Sequence, residues 1–293
     1  MIEAAGLMFI AYALASLAWA QAINWLAVAN LAGLVGAFWL GQRLTDPKKV
    51  WIGFVVLVGT VAMVQILFPL LNPNILGCAV ALAFAVALFY NWYVFYPIVP
   101  ISIYFSANNS SRTALLAVGV VLVVKYARQF PVWSFTACIA AFVWVMEVNP
   151  TTVSLYQRMG IWQDTLNHLT LFGTGWGTFA AEYATIPVHT NMTLLLAPHA
   201  YNDALEVIFE LGVGSIMLWL LVLLCLEGEG PKLPVLAFGI MSLAYFPLYI
   251  PLVAQAFAFS LGHLARSVPY GTLASYRTSL PQHSRHAVSL RGN

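Results

Sequence analysis

Long apolar runs separated by short polar turns dominate the sequence. Most of these runs are about 16 to 22 residues long, which is the length that an α-helix needs to cross a bilayer. Inside lipid a spanning segment must satisfy its own backbone, so each run is predicted to be a helix. The pattern therefore predicts an all-α fold, a polytopic transmembrane helical bundle of about ten spans. The spans are expected at residues 4–20, 22–40, 50–71, 75–90, 92–107, 113–129, 131–147, 203–226, 234–246 and 250–265.

Composition agrees with this pattern. Hydrophobic residues make up 61% of the chain and charged residues only 8%, and the mean hydropathy is +0.85. These values exclude a soluble or nucleic-acid-binding protein. Residues 1–265 are expected to form one transmembrane domain with an outer loop at about 148–202, and residues 266–293 a basic, disordered tail. Because Glu3 stands where a signal peptide carries positive charge, the N-terminal run is expected to be a retained first span.

The basic residues give the bundle an orientation. Ten of the 12 Lys and Arg residues fall in four regions, which the positive-inside rule assigns to the cytoplasm. These residues are Arg43, Lys48, Lys49, Lys125, Arg128, Lys232, Arg266, Arg277, Arg285 and Arg291. The remaining two, Arg112 and Arg158, are then expected at the outer membrane surface.

Two interpretations of Arg112 and Arg158 are open. Their side chains can reach along the membrane interface or pair with Glu147 or Asp164, in which case their role is structural. Alternatively they bind an anionic ligand. A guanidinium stays charged near lipid and binds phosphate oxygens through a rigid fork of donors, so two of them on one face suit a pyrophosphate.

A histidine and three acidic residues recur at helical spacing later in the chain. His199, Asp203, Glu206 and Glu210 are spaced 4, 3 and 4 residues apart, which predicts one face of a helix that enters the membrane from outside. Ionisable groups at that depth usually face a bundle interior or a water-filled cavity, so the row predicts a hydrated pocket. The alternative for Asp203 is interaction with the helix dipole, and for Glu210 a hydrogen bond that holds the fold.

A glycine-rich segment, G-T-G-W-G at residues 173–177, precedes this helix. It follows no predicted strand, so a dinucleotide-binding loop is disfavoured and a flexible turn is expected, whose backbone amides could approach a phosphate. The sequence contains no metal-binding spacing, and no metal or cofactor is predicted.

The motifs of this region together resemble the O-antigen ligase and polymerase superfamily. The similar segments are R-x-x-I-W at residues 158–162, F-G-T-G-W-G-T-F at 172–179 and H-A-Y-N-D-A-L-E-V-I-F-E-L-G-V-G at 199–214. The segment S-S-R-T-A-L-L at 110–116 and Y-F-P-L-Y-I-P-L-V-A at 245–254 agree as well. The resemblance covers about residues 95–265; the first 90 residues are similar only in being apolar.

The resemblance implies a metal-independent glycosyltransferase of the bacterial inner membrane. Such enzymes move a glycan from undecaprenyl pyrophosphate to a lipid A-core, polysaccharide or protein acceptor on the periplasmic side. Arg112 and Arg158 match the arginines that contact pyrophosphate, with Asn202 and Glu210 expected to help bind substrate. The segment from His199 to Asn202 matches the family's histidine-asparagine segment, and a neutral His199 or a nearby carboxylate such as Glu206 is expected to orient the acceptor hydroxyl or take its proton.

Two residues depart from the family pattern. Members commonly have His-x-His-Asn where this chain has His199, Ala200, Tyr201 and Asn202, so a tyrosine replaces the second histidine. Ser215 stands where a glycine often follows Gly212. Ligase and polymerase activity are not separated by the sequence, and a non-catalytic transporter of lipid-linked glycans is a further alternative, although the charges lie at one face rather than along several spans.

Overall fold

A computed structural model describes residues 1–67, 72–92, 112–127, 129, 152–186 and 197–268. Within these ranges every regular element is a helix and none is a strand, so the predicted all-α class is confirmed. The α-helices, in chain order, are α1 (Ile2–Ser16), α2 (Trp25–Arg43), α3 (Lys48–Leu67), α4 (Pro73–Phe89), α5 (Arg112–Tyr126), α6 (Thr152–Asn167), α7 (Phe179–Tyr183), α8 (Asp203–Leu211), α9 (Ser215–Leu226), α10 (Lys232–Ser242) and α11 (Pro251–Arg266).

Three stretches of helix are long and apolar enough to cross a membrane. They are Trp25–Arg43, Lys48–Gln65 and Asp203–Leu226, and the shorter helices α1, α4, α5 and α10 are apolar as well. Eight of the ten predicted spans coincide with helices of the structure. The predicted spans at 92–107 and 131–147 lie outside the described residues, as does the tail from residue 269, so the count of ten stays a prediction.

Local sequence explains where several helices begin. The side chain of Asn24 accepts hydrogen bonds from the amides of Leu26 and Ala27 and caps α2. Asn72 caps α4 in the same way, and Pro73 follows at the first helical position, where its missing N–H costs no hydrogen bond. Pro251 likewise begins α11. The polar gaps between apolar runs are therefore true helix boundaries.

The tightest packing joins α2 to α11. A Cβ placed on Gly41 would collide with the backbone oxygen of Phe259, and one on Gly262 with that of Phe38. Small residues at a crossing let two helix backbones approach closely, which is how membrane helices associate without a hydrophobic driving force. Around this pair, α9 packs on α1 and α11, and α10 packs on α4, α5 and α11.

Contacts between loops define the two ends of the bundle. Arg266, at the end of α11, donates to the backbone oxygen of Leu44, and Ser267 donates to that of Glu229. In and beside these loops the basic residues outnumber the acids, so this end is net basic; they are Arg43, Lys48, Lys49, Lys232 and Arg266 against Asp46, Glu227 and Glu229. The opposite end carries the loop between α1 and α2, where the amide of Trp176 donates to the hydroxyl of Ser16. Residues 158–186 and 197–210 gather there.

Candidate functional site

The α8 helix organises the site, and it begins at Asp203. Asn202 precedes it as the cap, with its side-chain oxygen 3.0 Å from the amide nitrogen of Leu205 and its amide group donating to the oxygen of Leu243. Tyr201 adopts a left-handed backbone with φ 54°, which reverses the chain. The prediction that His199 continues the helical row is therefore wrong: His199 lies in the preceding loop and folds back over the first turns of α8.

Asp203, Glu206 and Glu210 do share one face of α8, but they do not line a hydrated pocket. Their exposed fractions are 2%, 1% and 0%. Each carboxyl group instead has hydrogen-bond partners in neighbouring segments, and Asp203 and Glu210 share the connection between α10 and α11. Burial of a polar group is costly unless it is paired, and backbone amides together with side chains supply most of the pairing here.

The outermost acid, Asp203, binds the connection between α10 and α11. One of its oxygens lies 2.7 Å from the hydroxyl of Ser242 and 3.0 Å from the amide nitrogen of Leu248. The innermost acid, Glu210, accepts from the amide of Phe179 at 3.0 Å and from the hydroxyl of Tyr249 at 2.7 Å. Both side chains thus have structural partners, which favours the hydrogen-bonding interpretation of Glu210 over direct substrate binding.

The middle acid, Glu206, holds His199. Its Oε1 lies 2.8 Å from His199 Nδ1, and its Oε2 accepts from the amide of Ala200 at 2.8 Å. When the ring carries its proton on Nδ1, Glu206 accepts it and Nε2 keeps a lone pair. The histidine and glutamate predicted as a catalytic pair are therefore in direct contact.

His199 is neutral at physiological pH in this environment. Burial lowers the pKa of His199 from 6.5 to about 4, and the nearby carboxyl group of Glu210 opposes this only in part. The ring stacks on Phe246, with centroids 4.0 Å apart, while 24% of the side chain remains exposed. A neutral, partly accessible imidazole held by a carboxyl group can accept a proton from a hydroxyl.

Arg158, on α6, is linked to this pair through the rings of Tyr201 and Phe246. Its guanidinium donates to the backbone oxygen of Ala244 at 2.9 Å, and its central carbon is 5.2 Å from the centre of the Tyr201 ring. The α6 helix is held against the His199 loop by Trp162, whose indole N–H donates to Ala200 at 2.7 Å. Tyr201 in turn contacts Phe246 edge-on. One continuous set of contacts therefore joins Arg158, Tyr201, Phe246 and His199.

Arg112 is the first residue of α5, and its side chain lies outside the described residues. The structure thus brings Arg158, His199, Asn202, Glu206 and Glu210 into one region. Sequence reasoning missed the parts played by Tyr201 and Phe246. Both belong to segments that the motif comparison had identified, but their ring contacts depend on the turn at Tyr201, which no local pattern indicates.

The glycine-rich segment forms a turn whose amides are hydrogen-bonded to α8. Gly173, Gly175 and Gly177 have φ values of 74°, 115° and 76°, which favour glycine. The amides of Thr174 and Gly175 donate to the backbone oxygens of Phe209 and Glu210, near the end of α8. Because these amides are bound, they are not available to a phosphate.

The turn packs against a break in the α8–α9 span, where α8 ends at Leu211 and α9 begins at Ser215. At Gly212 the backbone takes φ 51°, and Val213 donates to the oxygen of Leu171. A Cβ on Gly212 would collide with the backbone of Leu171, and a Cβ on Gly173 with that of Glu210. The glycines therefore allow two backbones to meet, and the loop satisfies carbonyl groups that a helix end leaves without partners.

Comparison with protein-family models and with curated proteins gives no match to this chain. The resemblance to the O-antigen ligase superfamily accordingly rests on the motif residues themselves.

Proposed function

We propose that this chain is an O-antigen ligase-like glycosyltransferase of the bacterial inner membrane. It would move a glycan from undecaprenyl pyrophosphate to a lipid A-core or polysaccharide acceptor on the periplasmic face. The observation that carries the proposal is the contact between His199 and the buried Glu206, 2.8 Å apart, in the same cluster of rings that bears the Arg158 guanidinium. A proton acceptor and a fixed cation are the two groups that this transfer requires.

In the proposed reaction the acceptor hydroxyl attacks the anomeric carbon of the donor sugar. The new carbon–oxygen bond forms as the bond to pyrophosphate breaks, with inversion at that carbon, and the hydroxyl proton passes to His199 Nε2. Glu206 holds the imidazole and stabilises the positive charge that develops on it. Undecaprenyl pyrophosphate is the leaving group.

Arg158, with Arg112 as its predicted partner, would stabilise the charge that builds on the leaving pyrophosphate. Fixed donors of this kind are worth about 3 to 4 kcal/mol each in other enzymes. The hydrogen bond to Ala244 and the Tyr201 ring restrict the Arg158 guanidinium before substrate arrives. Such preorganisation supports catalysis because little reorganisation is needed during the reaction.

The location of the site favours transfer over transport. A transporter of lipid-linked glycans needs polar groups distributed along a path through the spans. In the described part of the chain, the buried carboxyl groups are Asp164, Asp203, Glu206 and Glu210, and the loops that bind them lie at the end of the bundle opposite Arg266. Ligase and polymerase activities share this donor chemistry and differ in the acceptor.

The test is a transfer assay in proteoliposomes with a lipid-pyrophosphate-linked glycan. Arg112→Ala and Arg158→Ala are each expected to lower kcat by about 10²- to 10³-fold, and His199→Ala by about 10²- to 10⁴-fold. Two matched controls should keep wild-type turnover. Arg43→Ala removes an arginine at the basic end of the bundle, and His168→Ala removes a histidine of the same outer segment. Unchanged turnover in both site-arginine variants would contradict the mechanism.

A further inference from the structure

A short segment after α6 presents apolar side chains outward. Residues 166–172 read L-N-H-L-T-L-F and contain no Asp, Glu, Lys or Arg. Leu171 and Phe172 are 65% and 60% exposed, and Leu166 and Leu169 are exposed as well. Two neighbouring side chains of this size held outside a fold indicate a surface that has another partner.

The backbone of this segment is firmly attached to the rest of the protein. The hydroxyl of Tyr12 donates to the oxygen of Phe172 at 3.0 Å, and the indole of Trp19 donates to that of Gly173 at 3.2 Å. The oxygen of Leu171 accepts from Val213 at 2.9 Å. These bonds fix the main chain from both sides, so the outward direction of the leucine and phenylalanine side chains is part of the fold.

The exposed side chains continue an apolar surface of the bundle. Tyr12 belongs to α1, and Val213 lies two residues before α9. Leu14 of α1 and Ile216 of α9 are also exposed and apolar. In a membrane bundle such faces meet lipid. Tyr12 and Trp19 add the amphipathic rings that are typical of the level where hydrocarbon meets water.

We propose that residues 166–172 form an interfacial anchor whose leucine and phenylalanine side chains insert into the outer layer of the bilayer. Because the segment contains no charged residue, its insertion has a low desolvation cost, and the burial of apolar area in lipid favours it. The anchor would hold the end of α6, and with it Arg158 two turns earlier, at the level of the lipid head groups. The inference does not depend on the proposed transferase activity.

A site-specific fluorescent probe tests the proposal. The full-length chain, with Cys78, Cys138 and Cys225 replaced by Ala, receives one cysteine in place of Leu171 or of Phe172. Each is labelled with an environment-sensitive nitrobenzoxadiazole and reconstituted in phosphatidylcholine–phosphatidylglycerol vesicles. Both positions are expected to show emission at shorter wavelength than in water and to lose fluorescence when the lipids carry a nitroxide near the head group. Thr185→Cys, an exposed polar position of the same outer region, is the matched control and should keep water-like, unquenched emission.

Two outcomes would overturn the proposal. One is water-like emission at both 171 and 172 that nitroxide lipids do not quench. The other is emission that shifts only as the protein-to-lipid ratio rises and stays unquenched, because a second copy of the chain would then be covering the segment. Size-exclusion elution identical to that of the unlabelled protein shows that each variant is folded.

Discussion

The guanidinium carbon of Arg158 lies 5.2 Å from the centre of the Tyr201 ring, and Tyr201 occupies the position where related motifs often carry a histidine. The Tyr201 ring therefore has a defined neighbour. In the proposed enzyme Tyr201 restricts the arginine, and the proton acceptor is His199.

This arrangement predicts the behaviour of Tyr201 variants. Tyr201→Phe should retain the cation–π contact and leave kcat/KM for the lipid-linked donor unchanged. Tyr201→Leu should lower that kcat/KM by about fivefold, because a contact of this kind is worth about 1 kcal/mol. The same substitution in an Arg158→Gln background should have no further effect on kcat/KM. Equal losses in both backgrounds would mean that Tyr201 only supports packing.

Variants of Glu210 distinguish a structural role of this side chain from a direct role in substrate binding. Glu210→Ala leaves the amide of Phe179 and the hydroxyl of Tyr249 without their partner, and an unsatisfied buried group costs about 1 to 3 kcal/mol. We expect a clear loss of thermal stability in detergent, and a smaller loss for Glu210→Gln, which can still pair with both groups. Tyr249→Phe is the matched control on the other side of the bond. A donor KM that rises in Glu210→Gln while stability is unchanged would favour direct binding instead.

The low pKa of His199 predicts a pH dependence of stability. Between about pH 6.5 and about pH 4 the unfolded chain binds a proton at this side chain and the folded chain does not. The free energy of unfolding should therefore fall as the pH falls through this window, and His199 adds no further slope below it. Thermal unfolding of the wild type and of His199→Gln at a series of pH values measures the contribution. The variant should show a shallower decline; parallel curves would show that the folded-state pKa is not lowered.

The break in the α8–α9 span predicts a strict requirement for glycine at position 212. Gly212→Ala introduces a Cβ against the Leu171 backbone at a residue with φ 51°, and the left-handed conformation alone costs about 1 to 3 kcal/mol for other residues. A marked decrease in unfolding temperature is expected. Gly36→Ala is the control, since nothing lies within 4 Å of its added Cβ. Equal stability of the two variants would contradict the close contact between the glycine turn and the break.

Apolar run length was sufficient to predict most of the described helices. The predicted span at 22–40 corresponds to Trp25–Arg43 and that at 250–265 to Pro251–Arg266, because caps and prolines interrupt the hydrophobic pattern at those points. The run at 203–226 gave no sign of the break at Gly212, since a single glycine among apolar residues is common within membrane helices. The break depends on a loop about forty residues earlier in the chain, which hydropathy does not report.

The site was predictable in its residue types and less so in its geometry. Spacing placed Asp203, Glu206 and Glu210 correctly on one face of a helix. It could not show which segments each carboxyl group binds, because the backbone amides among the donors carry no sequence signal and the hydroxyl groups of Ser242 and Tyr249 each lie 39 residues along the chain from the acid they bind. The position of His199 was wrong for a related reason: the left-handed turn at Tyr201 is a tertiary feature at a residue that rarely adopts it.

The crossing of α2 with α11 has a consequence for how the protein is made. Gly41 and Gly262 let the backbones of the two helices touch, yet these helices are separated by more than two hundred residues of chain. During synthesis α2 is made long before α11, so the α2 surface around Gly41 has no packing partner at first. The bundle closes only when residues 251–266 have been inserted. Until then, the glycine surface of α2 is free to pack against the wrong membrane helix.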